Sequence, residues 1–186
     1  MNKKLFGVSF AQKKYDLALK YCTPAAEQGD PEAQYYLGLM YEKGFGLKQD
    51  YTEAMNWYLK AAEQDNKDAL CSLANMYLEG EGVKQDYFKA FEWYQKAAEQ
   101  GNADAQLNLG FMYENGRGVK QDYFKAVEWY QKAAEQGLAY AQYNLGNMYY
   151  NGQGVRQNYT KAKEYFGLAC DNKYQAGCDM YRKLNQ

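Results

Sequence analysis

One unit of sequence recurs along this chain at a fixed step of 36 residues. The segment VKQDYFKA occupies residues 83–90 and returns at 119–126, and EWYQKAAEQG occupies residues 92–101 and returns at 128–137. Looser copies of the same pattern stand on either side, so that the unit is written four times. A repeat of this length is typical of solenoid proteins, in which small units stack and each contacts only its neighbours. We therefore expect the chain to work through an extended surface and not through one buried pocket.

The repeated columns predict two helices in each unit. The first, called helix A, carries alanine, leucine, a small residue and tyrosine at the spacing i, i+4, i+5 and i+8, which is one face of a helix. In the first copy these residues are Ala33, Leu37, Gly38 and Tyr41. A pair of glycines follows, of the kind that tolerates the left-handed backbone just past a helix end.

The second helix, called helix B, begins after an Asp or Asn that can cap its first turn. Its columns carry an alanine, then two adjacent aromatic residues, then a pair of alanines. This pattern predicts a large aromatic side chain packed between small residues, which suits packing of helix ridges into grooves. We expect the tryptophans of this column to be that buried residue: Trp57, Trp93 and Trp129.

A single A–B hairpin cannot bury both of its apolar faces, whereas stacked copies can. We interpret residues 1–28 as an N-terminal segment with a helix B half-unit, and residues 173–186 as a closing helix A. Between these caps lie four full repeats, at residues 29–64, 65–100, 101–136 and 137–172. The sequence therefore predicts one continuous solenoid domain.

The pattern A-x3-LG-x2-Y-x2-G-x-GV-x2-D-x3-A-x2-WY-x-KAA-x2-G resembles the Sel1-like repeat family, a relative of the tetratricopeptide repeats, from about residue 15 to the C-terminus. The resemblance implies an all-α fold, a right-handed α/α superhelix of helix-turn-helix repeats in which helices A line the concave side. It also implies an adaptor role, often in bacteria, in assembling other proteins.

Comparison of the copies within the chain separates constant columns from varying ones. Three columns of helix A change from copy to copy, and by similarity to tetratricopeptide geometry they should face the concave groove. Apolar and aromatic residues there would suit an extended peptide or a helix of a partner protein. Neutral variation on a solvated face is the alternative interpretation. The predicted partner-binding residues are Tyr35, Leu39, Asn75, Leu107, Phe111, Tyr143, Asn147 and Tyr150.

Composition argues against several other functions. With 22 basic and 23 acidic residues the net charge is −1, which offers no basic stripe for nucleic acid. No apolar run is long enough for membrane insertion, and a basic membrane-binding helix is missing. The chain has no histidine, which is the commonest general base and metal ligand near neutral pH. We therefore expect a non-enzymatic protein without cofactor or metal. Association of copies through the array ends is compatible with the sequence but not implied by it.

The chain has four cysteines, of which Cys170 and Cys178 are the most informative pair. They lie at the end of the last helix B and early in the closing helix A, and the ends of a short helix–turn–helix can come within disulfide reach. The eight-residue spacing also resembles the cysteine-rich exported branch of the family, which has been linked to β-lactam binding and hydrolysis. This weaker resemblance implies an alternative function: an exported protein that binds β-lactams or cell-wall fragments, with weak β-lactamase activity. Cys22 and Cys71 are expected to be small buried hydrophobic residues.

The N-terminus bears on the compartment. Asn2, Lys3 and Lys4 precede an apolar stretch, as in a signal peptide, but the apolar stretch is shorter than the roughly 7–15 residues that such a signal requires. The sequence as written therefore favours the cytoplasm. A bridged Cys170–Cys178 pair, or a trimmed leader, would favour export or the periplasm.

Overall fold

The computed structural model describes residues 15–186, and all of their regular secondary structure is α-helical. The ten helices of this part of the chain are α1 (Tyr15–Glu27), α2 (Pro31–Lys43), α3 (Tyr51–Ala62), α4 (Lys67–Glu79), α5 (Tyr87–Glu99), α6 (Ala103–Asn115), α7 (Tyr123–Glu135), α8 (Ala139–Asn151), α9 (Tyr159–Asp171) and α10 (Gln175–Lys183). The predicted all-α repeat fold is confirmed, with helices B (α1, α3, α5, α7, α9) alternating with helices A (α2, α4, α6, α8, α10). The residues group into two compact units that divide between Ala97 and Ala98.

In the first unit, α2 packs against both α1 and α3, and α3 packs against α4. At Gly38 on α2 the two helices approach closely, because an added Cβ would lie 2.7 Å from the ring of Tyr58 on α3. Tyr58 is fully buried, as are Ala33 and Met40. Here the small residue of helix A has a direct physical role, because it makes room for the aromatic ring of helix B.

The second unit repeats this arrangement. Helix α7 packs between α6 and α8, and α9 packs between α8 and α10. Gly146 on α8 faces the ring of Phe166 on α9, at 2.6 Å from the position of an added Cβ, and Gly110 on α6 faces Tyr130 on α7 even more closely. Both aromatic residues are fully buried.

The prediction that the tryptophans are the buried aromatic residues of helix B is wrong. Trp93 and Trp129 are half-buried, as is the tryptophan of α3, whereas Tyr94 and Tyr130, which follow them in sequence, have no exposed surface. Adjacent residues point about 100° apart on a helix, so only one of the two can face the small residue of helix A. The Trp129 ring is instead covered by a lysine one turn later, with the Lys132 ammonium 3.9 Å from the ring centroid.

The helix ends follow the expected cap chemistry. On α3, the carboxylate of Asp50 accepts hydrogen bonds from the amides of Thr52 and Glu53 at 2.9 and 3.1 Å. Helix α2 ends at Gly44, whose left-handed φ of 70° places its amide on the carbonyl of Met40. These caps fix where each helix turns back and so set the repeat length.

The half-units predicted at the two ends are observed as helices. Helix α1 is a helix B that buries Ala18, Cys22 and Ala26, and α10 lies within residues 173–186, where the closing helix A is predicted. The candidate signal sequence lies outside the described residues. Within residues 15–186, no helix combines the length and hydrophobicity needed to cross a bilayer.

Candidate partner-binding face

The helix A surface of the second unit carries five of the predicted partner-binding residues. On α6, Leu109 and Met112 belong to constant columns, and at most 1% of the surface of either residue is exposed. The varying residue between them, Phe111, is 38% exposed, and Leu107 one turn earlier is half-buried. On α8 the remaining residues of this group, Tyr143, Asn147 and Tyr150, are also half-buried. We call Leu107, Phe111, Tyr143, Asn147 and Tyr150 the unit 2 face.

Tyr143 belongs to an aromatic cluster that the sequence did not reveal in full. Its ring centroid lies 5.1 Å from that of Tyr174, in an edge-on arrangement, and 5.5 Å from that of Phe166. Tyr140 joins the cluster at 4.5 Å from Tyr174 and is 56% exposed. Tyr140 occupies a column that is acidic in the three other copies, and this change of residue type is the signal that could have identified it.

The other aromatic residues of the unit 2 face also have partners at one edge. The guanidinium carbon of Arg117 lies 5.2 Å from the Phe111 ring centroid, and the Tyr150 ring meets that of Tyr159 edge-on at 5.2 Å. These contacts orient the rings while leaving accessible surface on them. The face therefore offers apolar surface that is held in place before any ligand arrives.

The first unit carries the other three predicted residues: Tyr35, Leu39 and Asn75. Tyr35 is half-buried, with ring centroids 5.3 Å from Tyr36 and 6.0 Å from Tyr58. Burial raises the pKa of Tyr35, and the charge of Asp68 raises it further. Leu39 is half-buried, and Asn75 is exposed but accepts a hydrogen bond from the hydroxyl of Tyr94.

The third varying column of helix A is only partly available to a ligand. Its four residues are Glu42, Leu78, Glu114 and Tyr150. Glu114 accepts a hydrogen bond from the hydroxyl of Tyr130 at 2.5 Å, and Glu42 accepts one from Tyr58 at 2.6 Å while pairing with the neighbouring Lys43. Two of the four residues in this column therefore hold a buried helix B tyrosine in place. The carboxylates of Glu42 and Glu114 are thus engaged in structural hydrogen bonds.

A column of buried glutamines was not identified from the sequence. Gln106 is 5% exposed; its amide donates to the carbonyl of Ala98 at 3.1 Å, and its oxygen accepts from Gln136 at 2.8 Å. Gln142 makes the same pair of contacts, to Ala134 at 3.2 Å and to Asn172 at 2.9 Å. Buried amides at a constant repeat position act as structural ties between helices, and the 36-residue step of the column was the signal for them.

Two large apolar residues stand out on helices B. Phe88 and Phe124 occupy the same repeat position at the start of α5 and α7, and each is 72% exposed. The same position holds threonine in the other two repeats, so the column is on the surface in every copy. Phe124 therefore provides an exposed aromatic residue in the second unit that lies on a helix B and outside the unit 2 face.

The two cysteines of the closing hairpin are joined in a disulfide. Cys170 at the end of α9 and Cys178 on α10 have Cα atoms 4.5 Å apart. Cys22 and Cys71 are buried, and burial raises the pKa of the Cys22 thiol to about 12, which suits the small hydrophobic role expected of it. Over residues 15–186 there is no cluster of three or more metal-ligating side chains.

The fold and this surface define an α-helical repeat protein with a partly exposed, largely apolar and aromatic helix A face. The family model of the Sel1 repeat matches residues 5–30, 31–66, 67–102, 103–138 and 139–174. The chain belongs to the Sel1 repeat family. Proteins of this family are generally protein-interaction scaffolds and are typically not enzymes.

Solved structures agree with this assignment. A Sel1 repeat protein from Oxalobacter formigenes is 33% identical, with a TM-score of 0.90, covering 98% of this chain and 74% of that one. A protective antigen of uropathogenic Escherichia coli strains, which displays an SLR fold, is 37% identical over 94% of this chain with a TM-score of 0.86, but this chain spans only 38% of its length. Helicobacter pylori cysteine rich protein B is 30% identical, with a TM-score of 0.57 and coverage of 71% and 95%. No curated protein matches the chain.

Proposed function

We propose that this chain is a non-enzymatic scaffold that binds an extended segment of a partner protein on its helix A surface. The observation that carries the proposal is Phe111, which is 38% exposed although its neighbours Leu109 and Met112 are buried in the core. A repeat that needs only to stack has no use for a large apolar side chain at this position. Leu107, one turn earlier on the same helix, is also partly exposed, as is Tyr143 on α8. Exposed apolar patches larger than a single residue mark interaction sites.

The chemistry of the unit 2 face favours a peptide as its ligand. Helix α8 contains no charged residue, and Glu114 on α6 is engaged by Tyr130. The charged residues of α6 and α8 are the acidic Asp104 and Glu114, and acidic residues give no attraction to the phosphates of nucleic acid. The carboxamide of Asn147 can both donate and accept, which matches the peptide backbone, and the aromatic rings supply apolar contact area. In the first unit, Tyr35, Leu39 and Asn75 provide the corresponding positions.

Peptide display against the whole chain tests this proposal. A random peptide library is selected on immobilised protein, and the affinity of an enriched peptide is measured by fluorescence anisotropy. The test variant is Leu107→Ala/Phe111→Ala/Tyr143→Ala, and the matched control is Phe124→Ala, which removes a more exposed aromatic residue from a helix B of the same unit. Because a few anchoring side chains carry most of the binding energy, we expect the triple variant to lose about 30-fold or more in affinity.

The control variant should bind as the wild type does. Circular dichroism measures whether both variants are folded. We expect a folded triple variant, because Phe111 is a surface residue and its truncation should change stability by less than about 1 kcal/mol. Equal binding by the wild type and the triple variant would show that the site lies elsewhere. Failure to enrich any peptide would overturn the proposal.

A second candidate function is suggested by the Cys170–Cys178 disulfide, which is spaced as in the cysteine-rich exported branch of the family. Under this proposal the chain works in an oxidising compartment, where disulfides persist, and binds β-lactams or cell-wall fragments. Incubation of the full chain with a chromogenic β-lactam distinguishes the two functions. Hydrolysis above that of a heat-denatured control would favour the second candidate, and its absence together with peptide binding would favour the first.

A further inference from the structure

The closing helix α10 is weakly anchored by its own side chains. It has nine residues, and isolated helices shorter than about 12–15 residues are marginal in water. All of α10 lies in the described part of the chain, and Gly177 is its one buried residue. Its N-cap residue, Tyr174, makes no side-chain cap hydrogen bond. By contrast α8 buries five residues, among them Leu145 and Met148. The position of α10 therefore depends on contacts other than a buried apolar face.

Three of the contacts made by α10 join it to α9. The backbone at Gly177 approaches α9 so closely that an added Cβ would lie 2.7 Å from the Cβ of Ala169. The Tyr181 ring lies over Gly167, at 3.2 Å from the position of an added Cβ. The third contact is covalent, since the Cys170–Cys178 disulfide ties the first turn of α10 to the last turn of α9. Of these, the disulfide is the contact that chemistry can switch.

The disulfide is accessible from outside. Cys170 and Cys178 are both partly exposed. Cys170 also lines an open cleft of about 580 Å³, whose other lining residues include Lys163, Glu164, Leu168 and Tyr181. A cleft of this size admits a small thiol, whereas buried cysteines such as Cys22 are shielded.

We propose that the Cys170–Cys178 disulfide is a thiol-exchange site and that its opening releases α10. A thiolate of a small thiol or a dithiol reductant attacks the Cys170 sulfur from the cleft, forming a mixed disulfide, and Cys178 leaves as a thiolate that takes up a proton. A second thiol of the reductant displaces Cys170 and carries away the new disulfide. The protein gains two thiol hydrogens and the reductant is oxidised by two electrons.

Release of α10 changes the surface of the second unit. Gly177 covers Ala169 and the carbonyl of Phe166, and Tyr174 at the base of α10 packs edge-on against Tyr143. Detachment of the helix exposes apolar surface around Ala169 and Phe166, both of which are fully buried in the closed state. This inference does not rest on peptide binding, because it concerns the attachment of α10 alone.

Hydrogen exchange followed by mass spectrometry tests the proposal on the full chain. Exchange is compared with and without dithiothreitol in native buffer, and alkylation with N-ethylmaleimide counts the thiols. We expect reduction to add two alkylated cysteines and to accelerate amide exchange in α10 by about tenfold or more, with α8 still protected. Cys22 and Cys71 should remain unmodified, which shows that the chain has not unfolded globally.

The variant Cys170→Ser/Cys178→Ser separates loss of the disulfide from other effects of the reductant. It should show fast exchange in α10 without dithiothreitol and no further change when the reductant is added. Two results would overturn the proposal. In the first, the amides of α10 stay protected from exchange after both cysteines are alkylated; in the second, dithiothreitol does not reduce the disulfide in the native protein.

Discussion

The hydroxyl of Tyr130 donates a hydrogen bond to the carboxylate of Glu114 at 2.5 Å, and so joins a buried helix B residue to the end of the helix A before it. Tyr58 and Glu42 form the same bond at 2.6 Å two repeats earlier, in the first unit. The fourth repeat lacks the bond, because Phe166 has no hydroxyl, and there the acidic position holds a tyrosine. In the second repeat the acidic position holds Leu78, and the hydroxyl of Tyr94 donates instead to Asn75. The buried hydroxyl therefore keeps a side-chain acceptor even where the carboxylate is missing.

Removal of one partner of this bond should therefore cost more than removal of both. We expect Tyr130→Phe to lower the free energy of unfolding by about 1–3 kcal/mol, because it leaves the Glu114 carboxylate without its donor. The double variant Tyr130→Phe/Glu114→Leu should be less destabilised, since leucine already occupies this column at residue 78. Urea unfolding of the wild type, the single variants Tyr130→Phe and Glu114→Leu, and the double variant gives the coupling energy. Strictly additive effects would show that the bond contributes nothing.

The buried position of Tyr130 predicts a large difference between two adjacent aromatic residues. Tyr130 has no exposed surface, whereas Trp129 is half-buried beneath Lys132. Tyr130→Ala should lower the free energy of unfolding by about 3–5 kcal/mol through the cavity that it leaves. Trp129→Ala should cost less than half of that amount. Thermal and urea unfolding followed by circular dichroism measure both, and equal losses would contradict the assignment of the core aromatic column.

The sequence could not decide between these two aromatic columns. Trp129 and Tyr130 stand three and four residues after Ala126, and both spacings lie on the same side of a helix. The repeat period and the residue types at each position predicted the hairpin, its caps and its small residues correctly, but not the buried aromatic residue. Which aromatic side chain faces Gly110 depends on how one helix is rotated about its axis against the other. The sequence pattern does not contain this rotation.

The surface position of Phe111 could be predicted from the sequence for a different reason. Columns that must pack stay constant, so Phe111 was separated from Leu109 by variation alone. The column of Glu114 varies too, but Glu114 is hydrogen-bonded to Tyr130, which lies 16 positions away on another helix. Examination of one column at a time could not distinguish this structural pair from a surface position. Whether a ligand binds Phe111 depends on a partner that the sequence does not contain.

Burial of the same hydroxyls predicts a loss of stability at high pH. Burial raises the pKa of Tyr130 and of Tyr58, and the adjacent Glu114 and Glu42 carboxylates raise them further. The folded chain therefore holds these protons more tightly than the unfolded chain, whose tyrosines titrate near pH 10. The stabilisation is complete below about pH 10 and is lost as the pH rises above it, by roughly 1.4 kcal/mol per pH unit for each group.

Urea unfolding at pH values from about 8 to 11.5 measures this dependence. In Tyr130→Phe the slope above about pH 10 should be smaller by the contribution of one group, roughly 1.4 kcal/mol per pH unit. Below that pH the two proteins should show parallel curves. An unchanged slope in the variant would mean that the Tyr130 proton is not held more tightly in the folded state.

Two glycines with the same backbone conformation should respond differently to alanine. Gly137 and Gly154 have φ angles of 85° and 65°, so alanine costs about 1–2 kcal/mol at either position from the left-handed backbone alone. An added Cβ at Gly137 would have no neighbour within 4 Å, and Lys173 adopts the same conformation at the corresponding position of the next repeat. At Gly154 the Cβ would overlap the backbone carbonyl of Tyr123, which cannot rotate away as a side chain could. We therefore expect Gly154→Ala to lower the free energy of unfolding by a further 1–3 kcal/mol or so beyond Gly137→Ala. Urea unfolding of the two variants measures this difference, and equal losses would show that α7 can move away from the turn at little cost.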